Sequence, residues 1–183
     1  MWVNSSTIIV ELMPPAGLYR LAGAPSRVHV MISLDSMAAL DVTLLVTNKT
    51  TMRLPEEAWC EFRPILPPHS MLTLDKLGAA VDPSHVVTNG SRTLHNVGDD
   101  GARFQTPSGT SFRLRSLDSG LFSPGPADSN MDLYAFPGAQ SAATDGVAVS
   151  LWNNLWSVNY IFWYPFDASD ARFAFRFVLE FPY

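Results

Sequence analysis

The chain has 183 residues, of which 47% are apolar and 16% charged, and its formal net charge is −5 at pH 7. This balance predicts a globular protein in which residues 1–183 form a single domain around one core. The acidic charge argues against nucleic acid and anionic membrane as partners, because both attract basic surfaces. No apolar run approaches the roughly 20 residues needed to span a bilayer. We expect no signal peptide from the N-terminal pattern, and the compartment stays open.

Short runs in which apolar and polar residues alternate dominate the chain. Alternation of this kind is typical of strands with one buried face. In chain order the apolar positions are Ile8, Val10 and Leu12; Val28, Val30, Ile32 and Leu34; Val42, Leu44 and Val46; Phe112 and Leu114; Val147, Val149 and Leu151; and Phe173, Phe175, Phe177, Leu179, Phe181 and Tyr183. Turn-forming pairs such as Pro14-Pro15 and Asn89-Gly90 separate them. A weak helical pattern covers residues 55–59. We predict an all-β fold, a β-sandwich of short, mostly antiparallel strands with long loops.

The segment from Trp152 to Phe166, WNNLWSVNYIFWYPF, combines seven aromatic residues with three asparagines and carries no charge. One interpretation is a sugar-binding loop, in which aromatic faces stack on sugar rings while amides bind the hydroxyl groups. The other is core packing, with the asparagines satisfying the loop backbone. Its residues are mostly poor helix formers and Pro165 stops a helix, so we expect a strand, a loop and a second strand.

Catalytic chemistry is weakly represented in the sequence. There is no G-x-S-x-G elbow, no phosphate-binding glycine loop and no H-E-x-x-H motif. The histidines lack metal-ligand spacing, although Asp82, His85 and His95 would form a site if the fold brought them together. Asp99 and Asp100 fit a simple turn, and Cys60 fits a small buried apolar residue. We predict no catalytic residue, no metal and no cofactor.

Several ordered motifs nevertheless resemble a known group of proteins. They are RLPEEAW (53–59), LDKLGAAVDP (74–83), VVTNGSRTLHNV (86–97), LDSGLFSPG (117–125), FPG (136–138), VSLWNNLWSVNYIFWY (149–164) and RFAFRF (172–177). In this order they resemble the C-terminal β-sandwich region of uncharacterised glycoside-hydrolase-like proteins similar to the family 38 α-mannosidases. In that family the catalytic aspartate and zinc ligands lie in an upstream barrel, so the resemblance carries over no catalytic or metal residue.

Three functional hypotheses follow from the residues and from the resemblance. The first is a non-catalytic module that packs on a catalytic barrel domain or on a second chain. The second is a stand-alone carbohydrate-binding module. The third is an active glycosidase, either a fragment of one or an enzyme using His95 and Asp82 as acid–base groups. The candidate residues for binding a carbohydrate or a partner are Trp152, Asn153, Asn154, Trp156, Asn159, Tyr160, Trp163 and His95.

Overall fold

The structure is a computed structural model, and it describes residues 6–34, 38–50, 56–85, 94–125, 142–153 and 171–181. Within these ranges the strands are β1 (Thr7–Leu12), β2 (Arg27–Leu34), β3 (Ala39–Thr47), β4 (Glu57–Phe62), β5 (Met71–Lys76), β6 (Ala79–Val81), β7 (His95–Asn96), β8 (Ala102–Gln105), β9 (Ser111–Ser116), β10 (Leu121–Pro124), β11 (Val147–Asn153) and β12 (Arg172–Glu180). One α-helix, α1 (Ala16–Ala22), and a 3-10 turn at Ala143–Asp145 complete the described elements.

The strands form two antiparallel sheets, which confirms the predicted all-β, sandwich-like fold. The large sheet has the strand order β1-β2-β3-β12-β9-β8-β5-β6, and the small sheet has the order β4-β11-β10-β7. Every described strand pair is antiparallel. In the large sheet, β12 pairs with β3 on one side and with β9 on the other, so it joins the two halves of that sheet.

The core lies between the two sheets and is built from the inner faces that period-two alternation defines. Its fully buried side chains include Phe104, Phe122 and Phe177. Phe62 of the small sheet meets Phe177 of the large sheet edge-on, with ring centroids 5.0 Å apart. On β12 the predicted alternation is confirmed, since Phe175 and Phe177 are buried while Arg176 between them is exposed.

Residues 56–62 correct one expectation from the sequence. The described part of the predicted helical region is the strand β4, which pairs with β11 from Phe62 opposite Val147 to Glu57 opposite Asn153. Pairing across the sheet decides the conformation here, because Trp59 and Cys60 have no strong preference for a helix.

Helix α1 was not predicted from the sequence, because Pro14 and Pro15 read as a turn signal. Pro15 instead directly precedes the first helical residue. A backbone N–H at this position would have no acceptor within the helix, so proline costs no hydrogen bond there. Gly23 ends the helix in the left-handed conformation with φ of 60°, and the N–H of Ala24 bonds to the carbonyl of Leu18. None of the helix residues is buried.

Candidate functional site

Trp152 owes its position to an irregularity in β11. Val147 and Val149 face the core, so strict alternation would place Leu151 inward and turn Trp152 outward. The register with β4 shifts between Ser150 and Trp152, which is a β-bulge. A bulge adds one residue to a strand and re-aims the next side chain. Trp152 therefore lies on the inner face, opposite Ala58.

The indole of Trp152 packs against the aromatic residues at the start of β12. Its ring centroid lies 5.3 Å from that of Phe173, which it meets edge-on, and 6.4 Å from that of Phe175. Phe173 and Phe175 also meet each other edge-on, at 5.7 Å. The cluster lies near the end of the described part of β11. The indole of Trp152 is therefore occupied by contacts between the two sheets.

Two indole N–H groups in this region are buried without a hydrogen-bond partner within the described part of the chain. They are Nε1 of Trp152 and Nε1 of Trp59, which stands opposite Ser150. A buried N–H that has lost water without gaining a partner lowers stability by roughly 1–3 kcal/mol. The backbone of Asn153 ends β11. The other candidates in this segment, Asn154, Trp156, Asn159, Tyr160 and Trp163, lie outside the described residues.

His95 and Asp82 occupy different surroundings. His95 lies in β7 and stands opposite Phe122 of β10. It is buried and interacts with another residue of the chain. Asp82 is exposed in the turn that follows β6, where its Oδ1 accepts hydrogen bonds from the N–H and the hydroxyl of Ser84 at 2.8 and 2.6 Å. The Ser84 hydroxyl is the main cause of the lowered pKa of Asp82. Asp82 therefore acts as a turn former.

Asp75 and the turn at residues 98–101 have structural roles as well. The carboxylate of Asp75 accepts hydrogen bonds from the N–H of Gly78 at 2.7 Å and from the N–H of Asp100 at 3.2 Å. It thereby ties the β5–β6 hairpin to the turn at residues 98–101, whose closing bond runs from Gly101 N to Gly98 O at 3.0 Å. Within the described ranges, no three His, Cys, Asp or Glu side chains are grouped to hold a metal ion.

Cys60 lies in β4, half-buried, with contacts to the core. Burial, assisted by the neighbouring charge of Glu61, raises its pKa to about 11. The thiolate that a nucleophilic cysteine needs is therefore scarce at neutral pH. Cys60 behaves as the small, mainly apolar residue that the sequence indicated.

A charged network covers the outer face where β9 and β12 pair. Arg113 Nε lies 2.6 Å from Oε2 of Glu180, and Arg115 Nη1 lies 3.2 Å from its Oε1. Burial opposes ionisation of Glu180, but the bonds from both arginines outweigh it and lower the pKa of the carboxyl. On the same strand Arg176 binds Asp118 with two hydrogen bonds, at 2.7 and 3.0 Å, and lowers its pKa. These pairs connect strands and leave no arginine among them free for a ligand.

An apolar and a more polar cleft are among those on the described surface. An apolar cleft of about 270 Å³ lies beside the end of β4, with Phe62, Phe104, Phe112, Leu114 and Leu179 in its lining. A more polar cleft of about 210 Å³ includes Asp75, Asp100 and Arg103. Small-molecule sites usually measure about 300–1,000 Å³ and hold convergent polar groups. Both clefts are smaller, and neither contains a predicted site residue.

The feature that the sequence analysis did not single out is the exposure of β1. Its apolar residues Ile8, Val10 and Leu12 stand opposite Ile32, Val30 and Val28 of β2, so all six side chains share the inner face of the large sheet. Ile8, Val10 and Leu12 are nevertheless 61%, 42% and 50% exposed. We call these three side chains the β1 face. The alternation predicted the strand correctly but could not show that the small sheet leaves this part uncovered.

The described residues form an antiparallel, sandwich-like β protein whose apolar sheet face is exposed at β1. Comparison with protein-family models, with curated proteins and with solved structures gives no match. Among the described residues, no helix is both long and apolar enough to cross a membrane.

Proposed function

We propose that the chain is a non-catalytic β-sandwich module that packs through the β1 face on a catalytic domain or on a partner chain. The motifs quoted above, which resemble the C-terminal region of α-mannosidase-like glycoside hydrolases, motivate the first choice of partner. The observation that carries the proposal is that the apolar inner face of the large sheet continues over β1, where Ile8, Val10 and Leu12 are exposed.

The energetics of the β1 face support this role. Covering a large aliphatic side chain stabilises by roughly 1.5–3 kcal/mol when the burial is complete. Because Ile8, Val10 and Leu12 are each about half exposed, a partner that covered them would gain on the order of 1 kcal/mol from each. Met13, directly after β1, and Leu21 of α1 are also exposed apolar residues. Contiguous apolar surface of this kind marks interaction sites.

The polar groups of the described residues support a non-catalytic role. Asp82 and Asp75 hold turns, while the arginines of β9 and β12 neutralise Glu180 of β12 and Asp118 of the turn after β9. Glycoside hydrolysis requires two carboxyl groups placed on either side of a sugar-sized opening. The polar cleft contains two carboxylates, but that of Asp75 accepts backbone hydrogen bonds, that of Asp100 is bound by Arg113, and the cleft of about 210 Å³ is smaller than usual small-molecule sites. Sugar binding by the Trp152–Trp163 segment stays a prediction.

Hydrogen–deuterium exchange tests the module directly. The amides of β1 would be followed by mass spectrometry in the native protein isolated from its source and in dilute recombinant chain. We expect slower exchange of β1 in the native protein, because the partner covers it, and unchanged exchange in the β5–β6 hairpin, which serves as the internal control. Equal exchange rates of the β1 amides in both samples would contradict the proposal. Turnover of an aryl α-mannoside by the recombinant chain would contradict the non-catalytic part.

A further inference from the structure

The large sheet ends on one side at β1 and on the other side at β6. β6 has three residues, and a short edge strand is one of the devices by which proteins avoid unwanted pairing. β1 has six residues, TIIVEL, without lysine or proline, and it pairs with β2 without a bulge. Within the described part of the chain, β1 pairs only with β2. The N–H and C=O groups on its other side are therefore open to a further strand.

Side-chain exposure extends to both faces of β1. All six residues of the strand are exposed, so the outer face is as open as the β1 face. On the outer face Ile9, which stands opposite Met31 of β2, is 64% exposed. A partner that lay only on the inner face would leave Ile9 and the open backbone groups in water. An added strand pairs with those groups and extends the apolar rows on both faces.

Glu11 determines the charge of the strand that fits this edge. It is the single charged residue of β1, and its carboxylate lies 3.6 Å from Nε of Arg27 and 3.3 Å from Nε2 of His29. Both neighbours belong to β2, and the side chain of Glu11 is still 40% exposed. A lysine or arginine opposite Glu11 in an added strand would form a cross-strand ion pair. The net charge of −5 also favours a basic segment over a second copy of the chain, because two acidic chains repel each other.

We propose that the partner chain contributes an extended, basic segment that adds to β1 as a further strand of the large sheet. The added strand runs antiparallel to β1, as in every described strand pair, and spans about 20 Å along it. It carries aliphatic residues beside the β1 face and a lysine or arginine opposite Glu11. The inference rests on the proposed function and specifies the conformation and the charge of the partner.

A synthetic peptide that copies residues 28–33 is the probe, because this segment of β2 pairs antiparallel with the whole of β1. His29→Lys in the peptide places a lysine opposite Glu11. Titrated into the isotopically labelled full chain, it should bind with a Kd below about 1 mM and shift the nuclear magnetic resonance signals of the β1 amides but not those of the β5–β6 hairpin. A His29→Glu peptide should bind about fivefold more weakly, because the opposed charges then repel. Unshifted β1 signals, or equal affinity of the two peptides, would overturn the inference.

Peptides with methylated backbone nitrogens distinguish strand addition from simple apolar contact. In an antiparallel pair, alternate residues direct their N–H and C=O groups towards the neighbouring strand, and the residues between them direct theirs away. Methylation of one alternate set of peptide nitrogens should abolish binding, and methylation of the other set should preserve it. Equal binding of the two methylated peptides would show that no backbone pairing forms, which contradicts the added strand.

Variants of the chain test the location of the site. Ile8→Lys places the residue that protects natural sheet edges in the β1 face, and we expect it to weaken peptide binding by at least about tenfold. Ile65→Lys is the matched control, because Ile65 is fully exposed in the loop after β4. Equal binding by the two variants would place the peptide elsewhere and overturn the inference.

Two further outcomes separate this inference from its alternatives. If the wild-type chain forms a dimer in sedimentation velocity and Ile8→Lys abolishes it, the added strand comes from a second copy and the basic partner is wrong. If the peptides do not bind, but β1 exchanges more slowly in the native protein than in the recombinant chain, the proposed module remains supported. Its partner then covers β1 without adding a strand.

Discussion

Gly101 and Gly109 lie in loops of the large sheet, and comparing them distinguishes the cost of backbone strain from the cost of a steric clash. Both have positive φ, +70° at Gly101 and +90° at Gly109. A methyl group at Gly101 would lie 2.0 Å from the carbonyl oxygen of Leu114, whereas nothing lies within 4 Å of one at Gly109. The positive φ alone penalises any side chain by about 1 kcal/mol. Gly101 carries a second penalty because backbone, which cannot rotate away, occupies the space.

We therefore expect Gly109→Ala to lower the free energy of unfolding by about 1 kcal/mol and Gly101→Ala to lower it by at least about 3 kcal/mol. Equilibrium urea denaturation of both variants measures the difference. Equal losses would mean that the close approach of residue 101 to β9 does not exist in solution.

The carboxylate of Glu180 should make stability depend on pH. Its pKa is lowered in the folded chain, so it stabilises the fold above the ordinary value for glutamate, near 4.3. This stabilisation is lost as the pH falls through the lower folded value. In Glu180→Gln we expect a shallower loss of stability between about pH 5 and pH 3.

Urea denaturation at a series of pH values measures this slope. Glu57→Gln is the matched control, because Glu57 forms no ion pair in the described part of the chain. The explanation fails if wild type and Glu180→Gln respond identically to acid.

At the scale of a single element, the bulge in β11 decides the role of Trp152. It moves the indole from the outer to the inner side of the strand, onto Phe173 and Phe175. Truncating a buried tryptophan costs about 3–5 kcal/mol, and less at a half-buried position. Trp152→Ala should therefore lower the free energy of unfolding by about 2–4 kcal/mol and weaken the near-ultraviolet circular dichroism. A variant as stable as wild type would show that the ring does not contribute to the core.

The sugar-binding hypothesis makes a separate prediction for the same segment. If the loop binds glycans, mannose-containing oligosaccharides should change the tryptophan fluorescence, because stacking alters the surroundings of an indole. Trp156→Ala should abolish the change, whereas Leu77→Ala, in the exposed β5–β6 turn, should not. No response at millimolar sugar would argue strongly against this hypothesis.

The elements show why the sequence predicted some features and missed others. Period-two alternation located β2, β3, β9 and β12, because a strand with one buried face alternates wherever it lies in a sheet. The same pattern in β1 says which side chains share a face but not whether a second sheet covers them. The bulge in β11 was equally hidden, because one inserted residue leaves no mark in composition. Helix α1 was missed because Pro15 signals both a turn and a helix start.

At the scale of the whole molecule, the main feature is that the two sheets differ in size. Among the described residues eight strands face four, and the smaller layer leaves part of the larger one exposed. The uncovered part falls on β1, the edge where the apolar residues Ile8, Val10 and Leu12 continue the core pattern. Most of the candidate site predicted in the aromatic segment from Trp152 to Trp163 lies outside the described residues and stays a prediction, while the exposure of β1 was not predicted. Strand identity can be read locally, but sheet order and coverage depend on distant pairings.

If the partner of the β1 face is a second copy of this chain, thermal stability should depend on protein concentration. A dimer that forms only from folded chains shifts the folding equilibrium by mass action, so the melting temperature should rise as concentration increases. Ile8→Lys should abolish this rise, and Ile65→Lys should retain it. Differential scanning calorimetry across a hundredfold concentration range measures the effect. A melting temperature independent of concentration in the wild type would contradict coupled folding and association.

The central position of β12 has a consequence for biosynthesis. β3 ends at residue 47, and the strand that completes its pairing begins at residue 172. At ordinary translation speeds these two segments leave the ribosome on the order of ten seconds apart. During that interval the nascent chain exposes the apolar edge of β3, together with the β1 face. Newly made chains should therefore bind a holding chaperone until β12 has emerged, and release from the chaperone should coincide with the docking of that strand.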